Sequence, residues 1–300
     1  MKIEIVINKT AGGGKAGKLF PEILRIFDKM KLEYHVNWTT SLGGATKLAR
    51  VASDNGADLI VSVGGDGTIN EIINGILSAQ RQPPLAIVPA GWANDFIKST
   101  SIPRDINKAC QVIRNGKIKN IDIGLINQEI YFANVCGIGF DAEITALANR
   151  MKTAYAYCKT LSSYVYVFAA IRKLLLPLPS FKIRITIDGQ IIEEEILFLA
   201  IANGRIEGGK FNITPDANIN DGLLDICLVG KMGRLRCLHL LPKAIKGTHH
   251  NEKEVHFFRG KEVLVEFDKP VTSQVAGEML IPQKKYYFKI LPKKLKLMVP

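Results

Sequence analysis

The chain has 300 residues, of which 47% are hydrophobic and 23% charged, and its formal net charge is +12. This composition is typical of a globular protein of about two domains, and no segment reaches the roughly 18 apolar residues of a membrane-spanning helix. Five cysteines without a CxxC motif indicate neither a disulfide framework nor a zinc site. We therefore expect a cytoplasmic protein whose positive charge suits a phosphorylated ligand, a nucleic acid or an anionic membrane.

Strand and helix signals alternate over the first 125 residues. Short apolar or alternating runs indicate strands in "KIEIVIN", "LEYHVNWTT", "DLIVSVGG" and "PPLAIVPAG". The segments between them, "KLFPEILRIFDKM", "GATKLARVASDNG" and "TINEIINGILSA", have helical spacing. Strands that alternate with helices imply a parallel sheet covered on both faces. We therefore predict an α/β domain over residues 1–125.

The pattern changes beyond about residue 125. Short strand runs such as "FKIRITIDGQ" and "EEEILFLAIANG" are separated by Gly, Pro and Asn-Asp turns, which is typical of an antiparallel sandwich or barrel. One helical region interrupts these runs at residues 142–175. We therefore predict a β-rich domain over residues 126–300, with the last strand either in this domain or returning to the N-terminal one.

The segment Ser162–Pro179, "SSYVYVFAAIRKLLLPLP", is apolar and then basic at Arg172 and Lys173. Two interpretations are open. It is a core helix that covers the β-rich domain, or an interfacial helix beside a cleft for an acyl chain. In the second case the two cations would lie near anionic headgroups.

The stretch "VSVGGDGTINE", residues 61–71, lies between a predicted strand and a predicted helix. Plain helix initiation would place Thr68 at the head of the helix, with a capping box between Thr68 and Glu71. That interpretation does not account for three glycines around Asp66. Glycines allow a ligand to approach the backbone, and amides at a helix N-terminus favour phosphate. We therefore favour a nucleotide-phosphate loop in which Asp66 faces Mg²⁺ or the γ-phosphate.

A second glycine-rich segment, "GGGKAGKL" at Gly12–Leu19, almost fits the P-loop pattern. Its last position is Leu19, which has no hydroxyl for Mg²⁺, so a true P-loop is not expected. Ligands in open α/β sheets gather at the carboxyl ends of the strands. The segment is therefore predicted to be a second loop at the same edge of the sheet.

Five segments in chain order resemble the diacylglycerol kinase catalytic family. They are "GGDGTINE", "PAGWANDF", "NVCGIGFDAEI", "IANGRIEGGKFNITPDANINDGLLDI" and "VAGE". The chain is most similar to the bacterial soluble lipid kinases of this family, which are related to sphingosine kinases. The resemblance implies a two-domain kinase, with an α/β domain like those of NAD kinase and diacylglycerol kinase, a β-rich domain, and ATP in the cleft between them.

The resemblance also implies a nucleotide site. Its residues would be Asn8, Lys9, Thr10, Ala11, Gly12, Thr39, Gly64, Gly65, Asp66, Gly67, Thr68, Ile69, Asn70, Glu71 and Trp92. Lys9 stands where the family usually has proline. Trp92 stands where the family has a threonine that contacts nucleotide, and an indole has no small hydroxyl to offer phosphate. Asn94 and Asp95 of the same block match the family.

The family's catalytic base falls on Glu278 in "VAGE", which would act together with Asp66. Without the resemblance, Glu278 would be interpreted as a solvated turn carboxylate. Ala276 stands where the family usually has aspartate, which predicts reduced activity or an altered acceptor. Asp141 would either line the catalytic cleft or cap the helix that follows it.

The segment "ANINDGLLD" is similar to the family's Mg²⁺ loop, with ligands from Asn218, Asp221 and Leu223. The residues alone favour a hairpin turn at this place, because Asp-Gly is a strong turn signal.

We therefore predict an ATP- and Mg²⁺-dependent lipid kinase that phosphorylates a hydroxyl of a membrane lipid, with diacylglycerol as the default acceptor. Phosphatidylglycerol, a sphingoid base and a polyprenol are alternative acceptors. A soluble-substrate kinase similar to NAD kinase is a second enzyme class. Trp92 and Ala276 motivate a third alternative, a catalytically weak pseudokinase that binds lipid or nucleotide. The expected partners are the lipid and an anionic membrane surface, not nucleic acid, with a homodimer as one possible assembly.

Overall fold

The structure is a computed structural model that describes residues 1–154 and 164–300. Ser162 and Ser163 of the predicted interfacial segment lie outside the described residues. The chain divides into two compact units. Unit 1 comprises Met1–Ile123 with Lys293–Pro300, and unit 2 comprises Gly124–Pro292.

Unit 1 is built on a parallel sheet in the strand order β2–β1–β3–β4. Its elements are β1 (Ile3–Ile7), α1 (Ala11–Lys29), β2 (Tyr34–Trp38), α2 (Gly44–Asp54), β3 (Leu59–Gly64), α3 (Asp66–Leu77), β4 (Leu85–Pro89), α4 (Asp95–Lys98) and α5 (Ile106–Asn115). In the register Ile5 pairs with Val61, and Val61 with Ala86. Leu297 of the last strand pairs in parallel with Leu85.

The central strands of unit 1 are buried along their whole length, as expected where helices cover both faces of a parallel sheet. Helices α1 and α5 cover one face, with Phe20, Phe27 and Cys110 in the core. The alternate strand residues, such as Ile60 and Ile87, point to the opposite face. The predicted α/β fold of the N-terminal domain is confirmed.

Unit 2 is mainly antiparallel. The remaining elements are β5 (Lys117–Ile126), β6 (Ile130–Phe132), β7 (Val135–Gly139), α6 (Phe140–Ala154), α7 (Val165–Leu174), β8 (Phe181–Ile187), β9 (Gln190–Ala202), β10 (Ile206–Glu207), β11 (Phe211–Asn212), β12 (Leu224–Gly230), α8 (Arg234–Lys246), β13 (Val255–Gly260), β14 (Glu262–Val275) and β15 (Glu278–Val299). Strand β5 begins and β15 ends in unit 1.

Four strands of unit 2 close into a barrel. Strand β7 pairs with β9 and β14, and β8 also pairs with both of them, always antiparallel. Strands β12 and β13 extend the sheet beyond β9. The predicted antiparallel sandwich or barrel is therefore confirmed.

The helices of unit 2 pack on the outer face of this sheet. Leu174 of α7 and Cys237 and Leu240 of α8 share a core with Leu197 and Val229 of the strands. The predicted helical region 142–175 contains α6 and α7. Helix α8 was not predicted, because its apolar residues lie on two faces and blur the helical period. Within the described residues, no helix is both long and apolar enough to cross a bilayer.

Candidate functional site

Three loops meet at the carboxyl ends of β1, β3 and β4 in unit 1. After β1, Gly12, Gly13 and Gly14 have φ angles of 63°, 65° and 83°. These values lie in the left-handed region that glycine adopts without strain. A Cβ atom on Gly12 would lie 2.5 Å from the carbonyl oxygen of Ala90, which follows β4. The glycine-rich segment Gly12–Leu19, whose three glycines are non-helical at the start of α1, therefore lies against the loop after β4.

The loops after β3 and β4 also touch each other. A Cβ atom on Gly91 would lie 2.3 Å from the Cα atom of Gly65. Asn94 holds the second loop closed, because its Oδ1 accepts from the Gly91 amide at 3.0 Å and its Nδ2 donates to the Gly91 carbonyl at 3.2 Å. Glycine is thus required at position 91, whereas a Cβ atom on Gly65 would make a tight contact of 3.1 Å with the Gly91 Cα atom.

We expect Gly91→Ala to lower the free energy of unfolding by roughly 1–3 kcal/mol, because the new methyl group meets backbone that cannot yield. Denaturant unfolding measures the effect. The matched control is Gly44→Ala, where a Cβ would make only ordinary contacts of 3.6 Å or more. Unchanged stability of Gly91→Ala would mean that the two loops separate without cost.

Asp66 is half-buried beside these loops. Its Oδ1 accepts from the amide of Phe96 in α4 at 3.0 Å. Neighbouring Asp95 forms an ion pair with Lys98. Burial, reinforced by the charge of Asp95, raises the pKa of Asp66 to about 6. A carboxylate in this position is stabilised by a proton or by a cation, and this suits a ligand of Mg²⁺.

The alternative interpretation of a capping box between Thr68 and Glu71 at α3 is wrong. Helix α3 begins at Asp66, two residues before Thr68, and its N-cap is Gly65. The Glu71 carboxylate instead accepts from the amides of Gly43 and Ala45 at 3.1 and 2.9 Å, at the start of α2. The reason is that α2 has a glycine as its N-cap, so its free amides need an acceptor from the neighbouring helix. Any contact of Glu71 with nucleotide would compete with this role.

The first loop is closed by Asn8. Its Oδ1 accepts from the amide and the hydroxyl of Thr10 at 3.1 and 2.8 Å, and its Nδ2 donates to the Thr68 hydroxyl at 3.3 Å. The structure thus brings Asn8, Thr10 and Thr68 together. Thr39 lies at the end of β2, where its amide donates to the carbonyl of Ile7.

The other predicted nucleotide residues differ in exposure. Lys9 is exposed and Trp92 is half-buried, whereas Ile69 is buried in the core. The side chain of Ile69 is therefore closed to a ligand, and only its backbone is left for a contact. The nucleotide-binding role of the whole set stays a prediction.

The predicted metal residues Asn218, Asp221 and Leu223 lie in the loop before β12. The Leu223 amide donates to Asp221 Oδ1 at 3.1 Å, and the Asn220 amide donates to the Asn218 carbonyl at 2.8 Å. The hairpin interpretation is wrong, because among the described strands β11 pairs with β10 while β12 pairs with β9 and β13. In residues 1–154 and 164–300, no group of three or more His, Cys, Asp or Glu is placed to hold a metal. A metal here would depend on carbonyl ligands, and this stays a prediction.

Unit 2 contains a second group of carboxylates. Gln274 of β14 donates through Nε2 to Asp141 Oδ2 at 3.0 Å and also to Glu207 Oε1. Asp141 is the second residue of α6 rather than its cap, and burial raises its pKa to about 6. Sequence reasoning missed Gln274 and Glu207. The available signals were that Glu207 lies inside a segment that resembles the family and that Gln274 directly precedes "VAGE".

Gln274 also holds the turn before Glu278. Its Oε1 accepts from the amide of Gly277 at 3.0 Å, and Asn149 Nδ2 of α6 donates to the Gly277 carbonyl at 2.7 Å. Glu278 is half-buried and is the first residue of β15. Side chains therefore fix the turn that carries the predicted base, through both the amide and the carbonyl of Gly277.

Ala276 in this turn has a φ angle of 51°, which is unfavourable for a residue with a side chain. We expect Ala276→Gly to raise the free energy of unfolding by roughly 0.5–1 kcal/mol, because glycine adopts this conformation without strain. Ala146→Gly, inside α6, is the control and should lower it by about 1 kcal/mol. If Ala276→Gly were destabilising in the same denaturant titration, packing of the methyl group would outweigh the strain.

An apolar cavity of about 110 Å³ lies in unit 2 between the sheet and helices α6, α7 and α8. Its apolar lining includes Leu197, Phe198, Ala170, Leu174, Leu240 and Leu241. Asp141 and Glu207 are among its few polar lining residues. An apolar cavity with a few convergent polar groups is typical of a small-molecule site. Asp141 and Glu207, which we call the carboxylate pair, therefore place two acidic groups in the wall of a mainly apolar pocket.

Comparisons with known proteins extend over both units. The profile of the diacylglycerol kinase catalytic domain matches residues 2–126, and that of the YegS C-terminal NAD kinase beta sandwich-like domain matches residues 134–299. A diacylglycerol kinase of Bacillus subtilis (strain 168) is 30% identical over 279 residues, which cover 92% of this chain and 89% of the relative. A diacylglycerol kinase of Staphylococcus aureus (strain MRSA252) is 30% identical over 282 residues, with 92% and 86% covered.

Solved structures also resemble the chain over its whole length, and one of them serves as an example. It is the crystal structure of a Bacillus anthracis str. Sterne protein provisionally assigned as a diacylglycerol kinase. The two share a TM-score of 0.81 and 25% sequence identity, and the comparison covers 100% of this chain and 97% of the other.

Proposed function

Because this chain belongs to the diacylglycerol kinase catalytic family and is a kinase that acts on an alcohol group, we propose that it transfers phosphate from ATP to a hydroxyl of a membrane lipid. Diacylglycerol is the default acceptor. The observation that carries this proposal is the apolar cavity of unit 2, with Asp141 and Glu207 in its wall. A lipid would bury its hydrocarbon chain there at about 0.8 kcal/mol for each methylene group.

The apolar lining of the same cavity disfavours a soluble acceptor such as NAD. A polar dinucleotide gains nothing from apolar walls and loses hydration against them. An acyl or alkyl chain gains from these walls, while its headgroup meets the carboxylate pair. Phosphatidylglycerol, a sphingoid base and a polyprenol also combine a hydrocarbon chain with a hydroxyl, and they remain alternative acceptors.

In the proposed mechanism unit 1 binds the phosphate donor. The amides at the start of α3 and the contacting glycine loops would bind the triphosphate. Asp66 and Asp95 would hold Mg²⁺, since their mutual repulsion is relieved by a cation. Bound Mg²⁺ would neutralise charge on the phosphates. A second Mg²⁺ in the loop of Asn218, Asp221 and Leu223 would have a structural role.

Unit 2 would bind and activate the acceptor. Glu278 accepts the proton of the attacking hydroxyl, and Gln274 and Asn149 orient it through the backbone of Gly277. Gln274 also orients Asp141 and Glu207 by donating to both. A cytoplasmic protein with these groups would reach its substrate from the membrane surface. A homodimer stays a prediction, and analytical ultracentrifugation of the purified protein tests it.

The test is incubation of the purified protein with labelled ATP, Mg²⁺ and a panel of lipids, with the product identified by mass. We expect label in one hydroxyl-bearing lipid and none in NAD. Phosphorylation of NAD without lipid would overturn the lipid assignment. ATP binding without transfer to any lipid of a total membrane extract would favour the pseudokinase alternative.

A further inference from the structure

Helix α7 has two apolar faces. Val165, Ala169 and Leu174 form the inner face and are buried. Phe168 on the outer face is 46% exposed, and Leu175, directly after the helix ends, is 72% exposed. An amphipathic surface helix usually has one apolar stripe and a polar opposite face. Packing against the described residues of unit 2 therefore does not explain the outer apolar stripe of α7.

Helix α8 repeats this arrangement. Cys237 and Leu240 on its inner face are buried and line the cavity. Leu235 and Leu238 on the outer face are 84% and 42% exposed. The two outer stripes adjoin, because Arg234 Nη1 of α8 lies 3.5 Å from the carbonyl oxygen of Leu175. Scattered exposed leucines are ordinary, but a contiguous apolar patch indicates an interaction surface.

Helices α7 and α8 themselves carry basic residues and no acidic ones. Segments 144–187 and 226–251, which contain both helices, have no Asp or Glu and hold twelve Lys and Arg residues, as many as the net charge of +12. Arg172 and Arg234 are exposed beside the leucines. Lys173 forms an ion pair with Glu143. Arg236 forms ion pairs with Glu252 and Glu254. Exposed cations thus flank the apolar patch.

An apolar patch flanked by exposed cations favours an anionic membrane as the partner. An anionic bilayer offers hydrocarbon to the leucines and negative headgroups to the arginines. A second copy of the chain placed on the same patch would bring like charges together, which opposes association. The observations therefore favour the membrane over self-association.

We infer that the outer faces of α7 and α8 form a membrane docking face, which inserts into anionic bilayers. Its residues are Phe168, Ile171, Leu175, Leu176, Leu235 and Leu238. The role of this face in substrate delivery rests on the proposed lipid kinase function. The inner faces of the same two helices line the cavity that is proposed to bind the lipid. A lipid would then pass from the bilayer to the cavity beside helices that are already in contact with the membrane.

The test uses vesicles of phosphatidylglycerol and phosphatidylcholine without ATP, and measures the fraction of protein that floats with them. We expect Leu175→Ser with Leu235→Ser to lower vesicle affinity at least tenfold. Activity on a dispersed short-chain diacylglycerol should be unchanged. The matched control is Leu42→Ser with Ile281→Ser, because these residues are 82% and 81% exposed but lie outside the docking face. Thermal unfolding of both double variants checks their folding.

The possible results separate the two proposals. Equal vesicle binding by both double variants would overturn the docking face, and so would equal binding of the parent protein to pure phosphatidylcholine. A docking variant that dissociates a dimer and leaves vesicle binding unchanged would assign the face to a second copy. Vesicle binding that depends on Leu175 and Leu235, together with no lipid phosphorylation, would support the docking face and overturn the proposed function.

Discussion

Asp66→Asn is expected to lower turnover at least about a thousandfold and yet to stabilise the protein at pH 7. The activity falls because the amide cannot neutralise the cation that accompanies a triphosphate. The fold persists because the asparagine Oδ1 can still accept the hydrogen bond from Phe96. A loss of function with a gain of stability separates a functional carboxylate from a structural one.

The sign of the stability change follows from the pKa of Asp66. Its ordinary value is 3.8 and its folded value is about 6. Between pH 3.8 and about 6, the folded state binds the proton of Asp66 more tightly than the unfolded state does. The free energy of unfolding therefore falls as the pH rises through this window, by roughly 3 kcal/mol in total. Asparagine removes this cost. The gain from the substitution should therefore be present at pH 7 and absent near pH 3.5.

Denaturant unfolding at the two pH values and a turnover assay test this prediction. The control is Asp268→Asn, since Asp268 is an exposed carboxylate on a strand of unit 2. It should change neither quantity. Near-normal turnover of Asp66→Asn would reject its role at the phosphates, whereas lower stability at pH 7 would mean that Asp66 is ionised and well compensated.

Glu278→Gln is expected to lower the rate of the chemical step by roughly two to four orders of magnitude, which is the usual contribution of a general base. Glutamine has nearly the same shape but accepts no proton. The turn should keep its geometry, because Gln274 and Asn149 hold it through the amide and carbonyl of Gly277. ATP affinity and vesicle binding should therefore be unchanged.

Single-turnover kinetics with labelled ATP measure the chemical step. Glu129→Gln serves as the control, because Glu129 is an exposed carboxylate elsewhere in unit 2. An unchanged rate in Glu278→Gln would move the base to another carboxylate, with Asp66 as the next candidate.

Much of this molecule follows from short-range sequence patterns. Apolar periodicity sufficed for the parallel α/β fold and the antiparallel β-rich fold, because side-chain period is a local property of helices and strands. The glycines around Asp66 also carry a local signal, since glycine allows a close approach to the backbone. Family motifs then indicated the kinase, as the comparisons confirmed.

Other features depend on residues far apart in the chain, and no local pattern reveals them. Glu71 caps a helix through amides 28 and 26 positions earlier, so it forms no capping box with Thr68. Gln274 joins a carboxylate 133 positions away. The cavity and the outer stripe of α8 likewise exist only because distant helices pack on one sheet. Hydrophobic periodicity and glycine placement depend on residues close together in the sequence. The partners of buried polar groups depend instead on how the whole unit packs.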